Sequence, residues 1–241
     1  MTQGAEGRRL QPRRALTDDV YEAIKALLMD QEIPAGDRIS IDGLARDLGV
    51  SPTPVREALT RLESEGLATK EALKGYRSAP LLSADEFDDL YRFRLLIEPW
   101  AARTAAERMD AEGRALVGRE MATVEAPSGT TYEGYKWLTA HDARFHTLVS
   151  ELSGSRQVQQ ALERTHCHLH IFRLHFEHTT GTETLAEHRK IAAALLAGDG
   201  DAAEAAMREH LQEAMAVRLR KIYAPAASDV TTPASDDSPL P

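Results

Sequence analysis

The segment that most constrains the fold of this chain lies on both sides of Gly49. Before it, residues 40–48 have the apolar spacing of a short helix, and Ser40 is a suitable N-cap for that helix. After it, Ser51 can cap a second helix with Pro52 at its first position, where the missing N–H has no intrahelical partner to lose. A short helix, a glycine turn and a second helix predict a helix-turn-helix motif, whose second helix enters the major groove of DNA.

The residues around this motif predict a winged variant. A preceding helix is expected over about 16–30, and two short strands are expected to turn near residues 74 and 75. Arginine can bind O6 and N7 of guanine, while hydroxyl groups suit phosphates or base edges. We therefore expect DNA contacts from the first turns of the recognition helix and from the wing, at Ser51, Thr53, Arg56, Lys74 and Gly75. The alternative for Arg56 is an ion pair with Glu57 or Glu63 on a solvated face.

The charge distribution allows a nucleic-acid partner in spite of a net charge of −9. The first 80 residues carry 12 Lys/Arg and 13 Asp/Glu, whereas the remaining residues carry 17 and 25, so the acidity lies mostly in the C-terminal part. The single cysteine, Cys167, excludes a disulfide within the chain, and no apolar run is long enough to span a membrane. Arg8, Arg9, Arg13 and Arg14 precede no apolar segment and do not form a secretion signal. We expect a cytoplasmic protein without a membrane partner.

The chain is predicted to be mainly α-helical, with two folded domains. The segments are a disordered basic arm (1–14), a winged helix-turn-helix of three helices and a small β-wing (15–78), a linker (79–84), an all-α antiparallel helix bundle (85–223) and a disordered tail (224–241). Within the bundle, helices are expected over about 85–109, 111–124, 131–153, 155–178, 183–197 and 200–222.

Four polar residues in the bundle fall where apolar ones are expected. Asp142 and His146 lie four residues apart within the apolar stripe of one helix, and His188 and His210 lie within the stripes of two later helices. Burying such groups without partners costs on the order of 1–3 kcal/mol each. Convergence on a divalent transition metal would replace that cost with bonds, and this ligand set suits zinc most, with nickel, manganese or cobalt also possible. The alternative is that each histidine is a hydrogen-bonded core residue.

Arg94 is a further charge inside an apolar stripe. An arginine beside a metal can bind a carboxylate through two hydrogen bonds, so Arg94 is the predicted effector-binding residue. The alternative is an ion pair with Glu98, four residues on, and one side chain can do both. Most of the five histidines of the helix expected over 155–178 lie off its apolar side, and solvent or a pocket rim is expected for them rather than a second metal: His166, His168, His170, His175 and His178. Trp100 and Trp137 are expected in the core.

Residues 15–78 resemble the winged helix-turn-helix of GntR-type bacterial transcription regulators. The resemblance rests on Leu48-Gly49-Val50-Ser51 and Thr53-Pro54-Val55-Arg56-Glu57-Ala58-Leu59, with matching residues on both sides. Residues 84–223 are similar to the all-helical effector domain called FCD, found in the FadR-type branch of these regulators. Many members bind a metal through an Asp-x-x-x-His pair and two later histidines, and that pattern matches Asp142, His146, His188 and His210. Arg94 corresponds to a position that often lines the effector pocket.

These observations favour a homodimeric, ligand-responsive transcription factor, most simply a repressor, that binds a two-fold symmetric double-stranded DNA operator. A small organic acid is the expected effector, and the resemblance implies that its binding releases DNA. Two alternatives place a metal-dependent enzyme or a direct metal sensor in the helical part. Beyond the metal ligands we find no nucleophile with a base and an orienting group, so we expect no enzyme.

Overall fold

A computed structural model of the chain describes residues 13–123, 131–174 and 178–223. The predicted tail lies outside these residues, as does the predicted arm up to residue 12. The first helix, α1 (Arg13–Met29), begins within the last two residues of that arm. His175 also lies outside the described residues, and for His178 only the backbone is described.

The N-terminal part is a winged helix-turn-helix, as predicted. After α1 come β1 (Arg38–Ile39), α2 (Ile41–Asp47), α3 (Pro52–Ser64), β2 (Ala68–Glu71) and β3 (Gly75–Ser78). The strands form an antiparallel sheet in the order β1-β3-β2, with Arg77 opposite both Arg38 and Thr69. The sequence predicted only the two strands of the wing, because β1 has two residues and is defined by its pairing with β3.

Local signals account for the turn between α2 and α3. The Ser40 hydroxyl accepts a hydrogen bond from the Gly43 N–H (3.0 Å), as expected of an N-cap. Gly49 has a φ of 66°, a left-handed conformation that glycine adopts without a steric penalty. Ser51 occupies the N-cap position of α3, but its side chain makes no capping hydrogen bond there, so Pro52 at the first helical position is the remaining start signal.

The C-terminal part consists of helices in its described residues. They are α4 (Ala84–Glu107), α5 (Ala111–Ala122), α6 (Tyr132–Leu152), α7 (Arg156–Glu163), α8 (Cys167–Leu174), α9 (His178–Ala197) and α10 (Gly200–Tyr223). A capping box between Ser83 and Glu86 begins α4, which continues through Pro99 and packs along α10. The single helix expected over 155–178 was wrong, because residues 164–166 break it and His166 has a φ of 45°.

One hydrophobic core crosses the junction between the two parts. Tyr21, Ile24 and Leu28 of α1 belong to the same buried cluster as Tyr135 of α6 and Phe172 of α8. A second cluster fills the interior of the helical part around α4, α6, α9 and α10. Trp100, expected in the core, is 45% exposed. None of the helices in the described ranges combines the length and the apolar character needed to cross a bilayer.

A buried arginine binds the two parts together. Arg173 of α8 donates hydrogen bonds to the carbonyl oxygens of Leu28 (3.1 Å) and Ala79 (2.8 Å) and to the hydroxyl of Ser78 (2.6 Å). All three acceptors belong to the DNA-binding part or to the segment that follows it. The helical part is therefore attached to α1 and to the end of β3 through directed bonds as well as through apolar packing.

Candidate metal centre

The four predicted ligands converge in the interior of the helical part. Asp142 and His146 come from α6, His188 from α9 and His210 from α10, and all four side chains are buried. One ligand atom from each residue can be chosen so that all of these atoms lie within 4.8 Å of one another. The i,i+4 spacing on α6 explains the first pair, and the apolar stripes of α9 and α10 turn the other two toward it.

His188 shows most directly that this cluster suits a cation. Its Nε2 atom is buried and has no hydrogen-bond partner among the described residues. Its closest acidic neighbour is Oδ1 of Asp142 at 3.4 Å. Burial, and then the neighbouring His210, hold the pKa of His188 well below its usual range, so the ring is neutral. A neutral imidazole nitrogen with no hydrogen-bond partner, facing a carboxylate oxygen, is the donor arrangement that a transition metal requires.

Carboxylates lie behind two of the histidines. Nδ1 of His146 contacts Glu98, and Nδ1 of His210 lies 2.6 Å from Glu187. If each Nδ1 donates its proton to the carboxylate, both Nε2 atoms are left with a lone pair for an ion. Burial is the main reason that the pKa of His146 falls to about 4.

Asp142 is held by a fourth histidine, His168. Nδ1 of His168, on α8, lies 2.5 Å from Oδ2 of Asp142, which leaves Oδ1 facing the cluster. Although burial opposes ionisation, His168 and the ligand histidines hold the pKa of Asp142 well below its usual range. Of the two surroundings expected for His168, solvent or a pocket rim, the first was wrong, because this side chain is buried after the helix break at 164–166.

Arg94 forms a buried ion pair beside the ligands. Its Nε lies 2.5 Å from Oε1 of Glu98, and its Nη2 lies 3.4 Å from Nδ1 of His146. Although burial disfavours both charges, Arg94 holds the pKa of Glu98 well below its usual range, and Glu98 raises the pKa of Arg94. The ion pair between Arg94 and Glu98, which was the alternative for Arg94, is therefore formed. It lies next to the four ligands.

A cavity of about 390 Å³ lies beside the cluster, between the helical part and the DNA-binding part. Tyr21, Lys25 and Arg61 line it from α1 and α3, and Thr139 lines it from α6. His168 also lines it and is the residue that connects it to Asp142. None of the four ligand residues lines this cavity.

The predicted DNA contacts belong to the start of α3 and to the wing. Ser51, Thr53 and Arg56 are exposed on the first turns of α3, and Lys74 is exposed in the wing next to Gly75, whose φ is 91°. In the described part of the chain Arg56 forms no salt bridge, so the ion pair with Glu57 or Glu63 is not formed. Glu57 instead accepts a hydrogen bond from Thr17 (3.1 Å).

Five residues around the ligands were not predicted as part of the site: Glu98, Glu120, His141, His168 and Glu187. Glu187 directly precedes His188, and Glu98 was considered only as the partner of Arg94. His141 directly precedes Asp142, and the only available signal for it was a second histidine next to a predicted ligand. Glu120, on α5, has no sequence signal at all, because only the packing of α5 on α6 brings it to the site.

Comparisons with known proteins cover both parts of the chain. The family model of the FCD domain matches residues 89–213, and the model described as bacterial regulatory proteins, gntR family, matches residues 16–77. Two Bacillus subtilis proteins are each 28% identical to the chain. One is the uncharacterized HTH-type transcriptional regulator YdhC, with 71% of this chain and 76% of that protein covered. The other is the HTH-type transcriptional regulator LutR, with 77% and 93% covered.

The solved structure of Escherichia coli McbR/YncC has a similar fold. The comparison covers 86% of this chain and 98% of that one, with a TM-score of 0.59 and 20% sequence identity. At this level of identity the similarity shows the fold alone. It supports a winged helix-turn-helix followed by an all-helical domain.

Proposed function

Because the chain belongs to the gntR family of bacterial regulatory proteins and carries an FCD domain, we propose that it is a repressor controlled by a small carboxylate bound at a metal site. That it is a DNA-binding transcriptional regulator, and not an enzyme, follows from the family and from its relatives. The repressor role, the effector and the metal are the proposal.

The metal is proposed to bind to Asp142, His146, His188 and His210. The observation that carries this is the buried Nε2 of His188, which has no hydrogen-bond partner in the described chain and faces a carboxylate oxygen. Three imidazoles and one carboxylate fit zinc best, and nickel, cobalt and manganese remain alternatives. When bound, such an ion supplies positive charge and open positions that a carboxylate oxygen can occupy.

The effector is proposed to be a small organic acid. Arg94 adds a buried positive charge beside His146 and, through its pairing with Glu98, holds the partner of that ligand in place. A carboxylate reaching the centre would therefore meet the guanidinium of Arg94. The Nε of this group is already bound to Glu98, and its Nη2 lies near the ring of His146. The cavity next to His168 offers space for the body of a small molecule in contact with both parts of the chain.

DNA binding is proposed to use the exposed start of α3 and the wing, through Ser51, Thr53, Arg56, Lys74 and Gly75. A homodimer would present two such surfaces to the half-sites of a two-fold symmetric operator. The place of action is then the cytoplasm. An effector in contact with the residues around α8 would change how the helical part holds α1 and β3, and we propose that this change releases the operator.

The test is a combined metal and ligand measurement on the full chain. Purified protein is analysed for bound ions, then chelated, reloaded with zinc and screened by thermal shift against hydroxy acids, keto acids and sugar acids. We expect about one ion per chain and stabilisation by an acid only in the loaded protein, because a ligand that binds only the folded state raises its melting temperature.

Two variants of α9 provide the contrast. His188→Ala should lose both the ion and the ligand-induced shift, whereas the exposed Lys190→Ala should keep both. Failure of the reloaded wild-type protein to hold an ion in stoichiometric amount would refute the metal site. Equal shifts with and without metal would refute coordination of the acid while leaving the metal in place.

A direct metal sensor is the second candidate, and one observation favours it. The four ligand residues are buried and do not line the cavity, so an ion could act there without an organic ligand. Operator binding measured across a zinc titration, with no organic acid present, separates the two. A change in operator affinity driven by the ion alone supports the sensor, and constant affinity supports the carboxylate effector.

A further inference from the structure

We propose that His141 and Glu120 are positioning residues that fix the ring proton of His188 on Nδ1 and so keep its Nε2 free to bind the metal. This inference rests on the proposed metal site and adds two residues to it. Neither residue belongs to the group of four that converges in the described part of the chain. They act through His188.

The contacts form one continuous chain from the surface to the cluster. Oε1 of Glu120 lies 2.7 Å from Nδ1 of His141, and Nε2 of His141 lies 3.1 Å from Nδ1 of His188. Both histidines are fully buried, so water does not compete for these contacts. The outer end is fixed by Arg144, which donates two hydrogen bonds to the Glu120 carboxylate at 3.0 Å each.

The direction of the protons follows from this chain of contacts. A carboxylate paired with an arginine only accepts hydrogen bonds, so His141 must donate from Nδ1. A neutral imidazole has one donor and one acceptor. In the neutral form of the His141 ring, Nε2 is therefore the acceptor for the N–H at Nδ1 of His188. His188 consequently carries its proton on Nδ1 and a lone pair on Nε2. With the opposite orientation of His141, its Nε2 would donate and the proton of His188 would move to Nε2, where it would block coordination.

Through this arrangement a carboxylate fixes the proton on Nδ1 of His188 indirectly, whereas the other two histidine ligands contact a carboxylate directly. His146 and His210 each have a glutamate at Nδ1, namely Glu98 and Glu187. At Nδ1 of His188 the partner is His141, and the carboxylate that orients the protons stands one ring further out. The His188 ring also stacks on Phe145, with 4.4 Å between centroids, which fixes the plane in which Nε2 points.

The experiment measures proton position and metal affinity separately. In chelated protein labelled with ¹⁵N-histidine, long-range ¹H–¹⁵N spectra report which nitrogen of His188 is protonated. Zinc affinity is measured by competition with a chelator of known affinity. His141→Phe keeps a ring but removes both nitrogens. His141→Gln keeps an oxygen that can accept a hydrogen bond from His188. Glu120→Gln removes the negative charge that orients the protons of His141 and His188.

We expect wild-type His188 to be protonated on Nδ1. Loss of such an outer partner typically weakens metal binding by about 10–100-fold, and we expect a loss in this range for His141→Phe, with smaller losses for His141→Gln and Glu120→Gln. Glu112→Gln, an exposed change on the same helix as Glu120, should match the wild type. Because the Glu120 side chain is partly exposed, whereas that of His141 is fully buried, Glu120→Gln remains informative even where His141→Phe fails to fold.

Two results would overturn the proposal. One is a wild-type His188 protonated on Nε2, and the other is a zinc affinity in His141→Phe and Glu120→Gln equal to that of Glu112→Gln. A loss in His141→Gln larger than that in His141→Phe would show that the volume of the ring, and not its acceptor nitrogen, matters at this position, and would overturn the proposal as well. A wild-type protein that binds no ion refutes the proposed metal site instead, and the spectra of the chelated protein still decide where the proton lies.

Discussion

Arg173 offers the sharpest test of how the two parts of the chain are held together. Its guanidinium is buried and donates three hydrogen bonds across the junction, while no salt bridge to it forms within the described residues. Burial lowers the pKa of Arg173, as expected for a cation whose partners are neutral acceptors. Arg173→Met keeps much of the apolar stem and removes all three donors.

The size of the effect can be worked out from these bonds. Each hydrogen bond from a charged donor contributes about 1.5 kcal/mol at the lower end of its range, so three contribute about 4–5 kcal/mol. These contributions are already net of desolvation, so the expected loss is about 4–5 kcal/mol. For a chain of this size, 1 kcal/mol corresponds to about 2–4 °C in melting temperature, so Arg173→Met should lower it by about 8–20 °C.

Differential scanning calorimetry on the full chain provides the measurement. Because Arg173 acts at the junction, we also expect the transition to broaden or divide as the two parts unfold less cooperatively. Arg164→Met, at an exposed position just before α8, is the control and should stay within about 1 °C of the wild type. An equally small shift for Arg173→Met, with a single sharp transition, would refute the view that these bonds hold the parts together.

Three further predictions concern the helix start, a turn and the DNA surface. Ser83→Ala removes the capping box of α4 and should cost about 1 kcal/mol of unfolding free energy in urea denaturation; an unchanged midpoint would exclude a stabilising cap. Gly66→Ala places a methyl group 2.9 Å from His170 at a φ of 75° and should cost about 1–2 kcal/mol of unfolding free energy. Gly118→Ala adds a methyl group in open space on a helix and should stabilise the protein by about 0.5–1 kcal/mol. Effects of the same sign would contradict the view that the left-handed conformation at Gly66 requires glycine. Arg56→Ala should weaken operator binding by about 1–3 kcal/mol in fluorescence anisotropy, and an equal loss on unrelated DNA would assign Arg56 to phosphate rather than base contact.

The winged helix-turn-helix could be predicted from the sequence because its signals are local. Ser40, Gly49 and Pro52 each act on the backbone within a few residues, and the apolar spacing of α2 and α3 needs no knowledge of the rest of the chain. The four metal ligands could be predicted from the sequence for a similar reason. Asp142 and His146 stand out because they interrupt the apolar stripe of a single helix, which is visible without knowing what that helix contacts.

The residues behind the ligands could not be predicted in this way. His141 and Glu120 meet only because α5 packs on α6, and a helical pattern does not say which polar residue of one helix faces which residue of another. The burial of His168 was missed for a different reason. A left-handed residue at His166 interrupts the helical register, so positions counted from a continuous helix over 155–178 point in the wrong direction after the break.

The length of α8 has a consequence for how this regulator can vary. Within eight residues, His168 reaches a proposed metal ligand and Arg173 reaches the DNA-binding part. A helix turns by about 100° per residue, so inserting or deleting one residue between them would rotate one contact away from its target while the other stayed in place. A side-chain substitution in this stretch can weaken one of the two contacts partially, whereas a change of length removes one of them altogether. We therefore expect related proteins to keep the same number of residues between these two positions, even where the identities of the intervening residues differ.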